Sequence, residues 1–232
     1  MKWKGEFHHD PIVLAVSFPA IKQVCAILAC EGGACHGTGR RRGRKTAGKD
    51  IPMRVLIDAC VLFPTVPREI ILGCARAGLL VPLWSDRILE EWRRAVLRAC
   101  PQQAEQVAAE IALTRLAFAQ ASVPVSEDVE ARLSLPDAND RHVLAAAITG
   151  GADLLVTRNL RDFPPRTLAR HGVRVAAPDA LLLELWHDDP GGVRACVDPV
   201  LAPILRDLGA QPRDVLKRAG LPRLAKALAR TV

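Results

Sequence analysis

Two short apolar runs in this chain end abruptly in oxygen-bearing side chains. Val55-Leu56-Ile57 is followed by Asp58, and Leu154-Leu155-Val156 by Thr157-Arg158-Asn159. Between them lie two acid-bearing segments, Ser85 to Glu91 with Glu90 and Glu91, and Pro136 to Asp140 with Asp137 and Asp140. One more acid, Asp162, stands three residues after Asn159. In an open parallel sheet, ligands sit in the crevice outside the carboxyl ends of the strands. Both apolar runs therefore aim polar groups at one edge. Carboxylates gathered at such an edge suit a hard divalent cation, and the chemistry they allow is metal-assisted reaction of a phosphate-rich substrate.

Each acid has a plainer alternative. Asp58 could cap a helix or turn. Glu90 and Glu91 could be surface acids of a helix whose apolar face is Ile88, Leu89, Trp92 and Val96. At about 100° per residue Glu91 borders that face and Glu90 points further into solvent, so Glu91 is the better ligand candidate. Asp137 as N-cap with Asp140 three residues on is close to a capping box. Asp162 could be a turn acid.

The elements that must position these groups alternate. A strand at 54–58 leads to a helix with Pro67 near its first position, running to Gly78. The apolar run Leu79 to Trp84 precedes a helix capped by Ser85, then a long helix at about 101–120. Val123 to Val125 reads as extended, Asp137 to Thr149 as helix, 154–157 as strand, 165–171 as a short helix, Val173 to Ala176 as strand and 179–187 as helix. Strands alternating with helices predict an α/β fold with a central parallel sheet covered on both faces. From Gly191-Gly192 the pattern is all-helical, punctuated by Pro199, Pro203, Pro212 and Pro222, and predicts a small C-terminal helical extension over 191–232.

Charge divides the chain in the same way. The 232 residues carry a net +7, but residues 1–52 hold +5, residues 53–190 hold −3 and residues 191–232 hold +5. A basic rim around an acidic centre suits a polyanion held through a metal, although an Arg-rich composition alone would give such ends too. The seven cysteines (25, 30, 35, 60, 74, 100 and 196) include no Cys-x-x-Cys pair, which favours a reduced, cytoplasmic protein. Cys60 and Cys74 lie in apolar surroundings and read as small core residues. Cys25, Cys30 and Cys35 with His36 match no common zinc spacing.

Residues 1–52 read differently. Pro11 to Cys30 is apolar, but Pro19, Lys22 and Gln23 interrupt it, and it falls short of the ~18 clean apolar residues of a membrane span. It also lacks a signal-type cleavage site. The basic, Gly-rich run around Gly39 to Thr46 has Arg44 where a phosphate-binding P-loop needs glycine before its lysine. We expect residues 1–52 to be an upstream extension with no fold of its own, Met53 being the natural start, and residues 53–190 to be the catalytic domain.

Taken together, the segments Val55-Leu-Ile-Asp58-Ala-Cys-Val-Leu62, Trp84-Ser-Asp-Arg-Ile-Leu-Glu-Glu91-Trp, Pro136-Asp-Ala-Asn-Asp140-Arg-His-Val-Leu-Ala-Ala-Ala147 and Val156-Thr-Arg-Asn159-Leu-Arg-Asp162-Phe-Pro resemble, in this order, the acidic motifs of PIN domains. The likeness is closest to VapC-type toxins of VapBC toxin–antitoxin modules and covers about 53–187; the tail from 191 is similar to the C-terminal extension of one VapC subgroup. The resemblance implies a PIN-like three-layer fold and an endoribonuclease using Mg²⁺ or Mn²⁺. It implies Asp58, Glu91 and Asp140 as catalytic metal ligands, with Thr157 or Asn159 orienting the water or a second ion. The fourth acidic position falls on Asn159, so Asp162 or Asp137 is expected to supply that charge, and one ion is expected rather than two. Position 60, often Asn, Thr or Ser in the family, is Cys60. The implied partners are RNA, a VapB-like antitoxin and a second copy of the chain, with no membrane. The alternative within this fold is a catalytically silent module that binds RNA or protein. A haloacid-dehalogenase-type phosphotransferase would want Asp at position 60, and a flavodoxin-like module would want a phosphate-cradling glycine loop.

Overall fold

The computed structural model describes residues 52–230. The expectation for residues 1–52 therefore lies, Pro52 apart, outside the described residues. The first strand, β1 (Arg54–Ile57), buries its last three residues completely or nearly so. An apolar β-branched run with no polar alternation belongs in the middle of a parallel sheet, and β1 lies there. The sheet order is β2 (Val81–Leu83), β1, β3 (Leu154–Val156), β4 (Arg174–Ala176), and every pairing is parallel. The register sets Val55 beside Pro82 on one flank and Leu154 on the other. The chain goes from β1 outward to β2, then returns to build β3 and β4 on the opposite side. The carboxyl ends of β1 and β3 are thus the topological switch point, where a crevice opens. Backbone bonds run on past both ends, from Asp58 N–H to Val156 O (3.1 Å) and from Thr157 N–H to Ala176 O (3.1 Å).

A single buried helical turn, α1 (Ala59–Leu62), follows Asp58 at once. The sequence pattern missed it, because four buried residues show no helical periodicity. In α2 (Thr65–Arg76) Pro67 is the third helical residue rather than the first; the opening turn has no intrahelical partner for its N–H groups, so proline is tolerated there. Ser85 caps α3 (Asp86–Ala99), its Oγ accepting from Ile88 N–H at 3.3 Å, and Ile88, Leu89, Trp92 and Val96 form the buried face as expected. The long helix begins as a 3₁₀ turn at Pro101–Gln103 and continues as α4 (Ala104–Ala117). The expected extended piece near 123 is a one-residue parallel bridge between Trp84 and Ser122. The hydrophobic pattern did not reveal α5 (Glu127–Arg132), which buries no residue; it is held by the Ser126 cap and by acids in its first turn. A 3₁₀ turn (Ala138–Asp140) opens α6 (Arg141–Thr149), and α7 (Pro165–Ala169) and α8 (Pro178–Asp188) flank β4.

The tail is helical and packed. In α9 (Pro190–Leu208) the prolines at 199 and 203 lie inside the helix. Spaced by four, they leave the Ala195 and Pro199 carbonyls without donors, and both of those residues are exposed to water. α10 (Pro212–Arg218) and α11 (Pro222–Leu228) each begin with proline. Val193, Val197, Leu201, Ile204, Val215 and Leu224 join the same apolar cluster as β1. α9 lies so close to α2 that a Cβ on Gly73 would stand 3.4 Å from that of Cys196. The buried Asp179 accepts from Arg223 N–H and Leu224 N–H, both at 3.0 Å, and so caps α11 from another helix. Asp179→Ala is expected to cost about 1–3 kcal/mol, the usual penalty for stranding buried donors. Denaturant unfolding checks this, and an unchanged midpoint would mean that water satisfies those groups. No helix among the described residues is long and apolar enough to cross a membrane.

Candidate active site

Asp58 is 2% exposed and is fixed from one side only. The Thr157 hydroxyl donates to its Oδ2 at 2.7 Å, and the Cys60 thiol donates to the same oxygen at 2.9 Å. The chain supplies both neighbours: Thr157 begins the loop after β3, and Cys60 lies in α1. Thr157 Oγ1 in turn accepts from Asn159 N–H (3.0 Å), and Cys60 Sγ from Arg158 N–H (3.1 Å). The other carboxylate oxygen, Oδ1, is buried with no partner. Asp58 stands at the N-cap position of α1 yet makes no side-chain cap bond, so capping does not account for it. Burial pushes its carboxyl up and Glu91 adds to this, while the bonds from Cys60 and Thr157 pull it down.

Asp140 is 3% exposed and faces a second group of acids. One oxygen each from Asp137, Asp140 and Asp162 can be chosen so that all lie within 4.8 Å of one another. The capping-box alternative divides between the two acids. Asp137 does cap, its Oδ1 accepting from Asn139 N–H at 2.9 Å. Asp140 stands at the N-cap position of α6 but makes no side-chain cap bond. Its carboxyl is pushed up to about 7, first by burial and then by the charges of Asp58, Asp137, Asp162 and Glu91. Asp162 is itself held by the Asn159 side-chain amide, so the amide at the fourth acidic position brings a carboxylate with it.

Glu91 comes from α3. His142 Nε2 lies 3.0 Å from its Oε1, off the line of a hydrogen bond, and Arg87 lies 3.9 Å from the same oxygen. Its Oε2 is buried and unpartnered. Glu90 points to the solvent side as expected. Arg93 and Arg94 grip it there at 2.7 Å each, and Arg93 with Arg94 holds its carboxyl down at about 2.

The sequence pattern did not mark two side chains of the site. Cys60 is buried like a core residue, but its thiol is bonded to Asp58 and is no mere filler; its position two after the acid was the available signal. His142 is 1% exposed, and neither ring nitrogen has a hydrogen-bond partner. Its signal was a histidine two residues after Asp140, directly before the apolar run Val143 to Ile148.

The donor set suits a hard divalent ion. A cation 2.0–2.6 Å from each ligand oxygen needs oxygens up to about 5 Å apart, as in the Asp137, Asp140 and Asp162 group, to which only Asp140 of the three expected ligands Asp58, Glu91 and Asp140 belongs. The orphaned Asp58 Oδ1 and Glu91 Oε2 are the kind of buried acceptors that such an ion satisfies.

Comparison with known proteins bears on the same segment. Residues 54–161 match the family model of the PIN domain. A curated relative from Mycobacterium tuberculosis, named "Putative ribonuclease VapC50", is 38% identical over 82 residues, which is 31% of this chain and 48% of the relative. The chain thus spans about half the length of that relative. No solved structure matches. The matched segment contains Asp58, Glu91, Asp140 and Thr157, and with the parallel sheet around its switch point residues 54–161 are similar to the PIN domain in both sequence and fold.

Proposed function

We propose that the protein is a divalent-metal-dependent endoribonuclease, acting as the toxin of a toxin–antitoxin pair. The observation that carries the reading is the convergence of the buried Asp58 after β1, the half-buried Glu91 of α3 and the buried Asp140 before α6, whose charges oppose one another's ionisation, with Asp58 Oδ1 and Glu91 Oε2 left unpartnered. In this reading Asp58, Asp140 and Glu91 hold one Mg²⁺ or Mn²⁺, and Asp162 and Asp137 supply further negative charge. When bound, such an ion lowers the pKa of water and offsets charge building on the phosphate. Thr157 and Cys60 keep Asp58 from rotating, so that one defined oxygen faces the site. His142, 3.0 Å from Glu91 Oε1 without a hydrogen bond, limits the space into which that carboxylate can turn. Asn159 positions Asp162 and, with Thr157, lines the approach of the water.

The relative's name, a putative ribonuclease, supports RNA as the substrate class; a VapB-like antitoxin as the partner and a homodimer in the cytoplasm as the working form are further parts of this proposal. The silent-module alternative rests on Asn159 at the fourth acidic position, but its side chain is bonded to Asp162, which restores the charge. The test is cleavage of structured RNAs in Mg²⁺ or Mn²⁺, with Asp58→Asn as the control. Cleavage that the control lacks supports the reading. Equal cleavage by both, or none by the wild type with either metal, rejects it. Expression alone should arrest growth, and co-expression with the product of the adjacent upstream gene should relieve the arrest.

A further inference from the structure

The helical tail reaches the edge of the acid cluster. Asp179 lies just past the end of β4, and its two bonds to Arg223 N–H and Leu224 N–H pin the first turn of α11 to the carboxyl side of the sheet. From the other side, Arg158, next in sequence to Thr157, reaches the turn between α10 and α11. Its Nη2 lies 3.1 Å from where a Cβ at Gly220 would stand, and Gly220 has φ +80°. Glycine is therefore needed at this turn twice over, for the backbone and for the close approach. Arg158, Lys217, Arg218 and Arg223 at this turn, and Arg161 three residues along the chain from Arg158, are all exposed. Among the described residues no ion pair involves Arg161, Lys217, Arg218 or Arg223. The first-turn donors of α11 are already taken by Asp179, so an anion here would meet side-chain charge rather than backbone N–H groups.

We propose that these five cations form the track on which the RNA backbone lies as it leaves the acid cluster, with the C-terminal tail supplying three of them. This rests on the ribonuclease reading above and deepens it. Arg158 stands in the chain between Thr157 and Asn159, and its approach to Gly220 links the tail's cations to that edge of the acid cluster. Charge decides the occupant. An acidic protein segment lying along the same band would run into Asp58, Asp140, Asp162 and Glu91 with no phosphate–metal attraction to compensate. An RNA backbone is drawn in by the cations and held at the acids through a metal. Phosphate-binding cations of this kind position a nucleic acid without reading its bases. The composition fits, since the chain has no tyrosine and only nine aromatics in all, leaving little for base stacking.

The test compares the wild-type full chain with a Lys217→Gln/Arg218→Gln/Arg223→Gln triple variant. The probe is fluorescein-labelled single-stranded RNA in EDTA, titrated across a series of salt concentrations. The variant should bind roughly 10-fold or more weakly near 0.1 M salt, and its slope of log K against log salt should be shallower by about 2, at roughly 0.7 for each phosphate that is no longer neutralised. In Mn²⁺ cleavage assays KM should rise with kcat kept, and the melting temperature and Mn²⁺ affinity should stay as in the wild type. Equal RNA affinity and equal slope would overturn the proposal, as would a fall in kcat and melting temperature together, which would mark a structural role. Loss of affinity for polyglutamate without loss for RNA would assign the face to an acidic protein and also overturn it. A wild type that cleaves RNA beside a variant that binds it equally well defeats the track alone. A wild type that never cleaves, yet binds RNA more tightly than the variant, defeats the ribonuclease reading alone.

Discussion

Asp58→Asn is expected to abolish the proposed RNA cleavage while the protein stays folded. The expectation follows from how the carboxylate is held. Two donors, the Thr157 hydroxyl and the Cys60 thiol, fix Oδ2, and Oδ1 is the buried acceptor left for a cation. An asparagine can be placed in two ways. With its amide nitrogen at the Oδ1 position it turns a donor toward the cation. With the nitrogen at the Oδ2 position it faces Thr157 and Cys60 with a third donor. Both lose the charge. Outer-shell partners of a metal ligand are typically worth about 10–100-fold, so loss of the ligand itself should cost more than about 100-fold in rate. Thr157→Val, which removes one support and leaves the carboxylate, should fall within that roughly 10–100-fold range. Stability should change little, because the variant no longer buries a charge but strands a donor. Glu90→Gln is the control. Its partners are Arg93 and Arg94 on the solvent side, so rate and melting temperature should both hold. Single-turnover cleavage and thermal unfolding measure all four proteins. If Asp58→Asn cuts at the wild-type rate, the metal centre is not where the acids converge.

The sequence carried the sheet and the acids because both are local signals. Apolar β-branched runs ending in Asp58 and Thr157 announce strands and their polar edge, and Ser85 announces the cap of α3. The helical angle picked Glu91 over Glu90, and the resemblance then agreed. What escaped was either too short for periodicity or joined over distance. α1 and α5 span one or two turns, and α5 buries nothing. The bond from Thr157 to Asp58 crosses 99 residues and the cap of α11 by Asp179 crosses 44. No local pattern distinguishes a thiol in the core from one that props a carboxylate. The tail read as helical with prolines punctuating it, and Pro199 and Pro203 lie inside α9, where the carbonyls they leave without donors belong to exposed residues. Asp137 and Asp140 show the same limit. Spacing permitted both to cap, and only the fold gave the cap to Asp137 and left Asp140 to face the other acids.

That division leads to the second large effect. Raising the pH from about 5 to about 8 should destabilise the metal-free protein, and Asp140→Asn should remove most of that dependence. The sign follows from the proton. The Asp140 carboxyl titrates near 7 in the folded chain, because burial and the charges of Asp58, Asp137, Asp162 and Glu91 oppose ionisation, whereas in the unfolded chain it titrates near about 3.9. Between those values the folded state binds more protons than the unfolded state, so stability falls as pH rises. The contribution is fully present below about 3.9 and is lost through about 7. Asp58, also pushed up by burial, acts in the same direction. A divalent cation replaces the proton, so Mg²⁺ or Mn²⁺ should raise the melting temperature more at about pH 8 than at about pH 5 and should release protons on binding. Asp140→Asn should melt higher than the wild type at the upper pH without metal, respond little to added metal and cleave no RNA. A capping role for Asp140 makes the opposite demand: cleavage kept, and stability reduced by about 0.5–2 kcal/mol at every pH. Melting curves at the two pH values, with and without Mn²⁺, set beside cleavage rates, separate the two. If Asp140→Asn cuts RNA at the wild-type rate, the third ligand is Asp137, whose oxygen shares the same group.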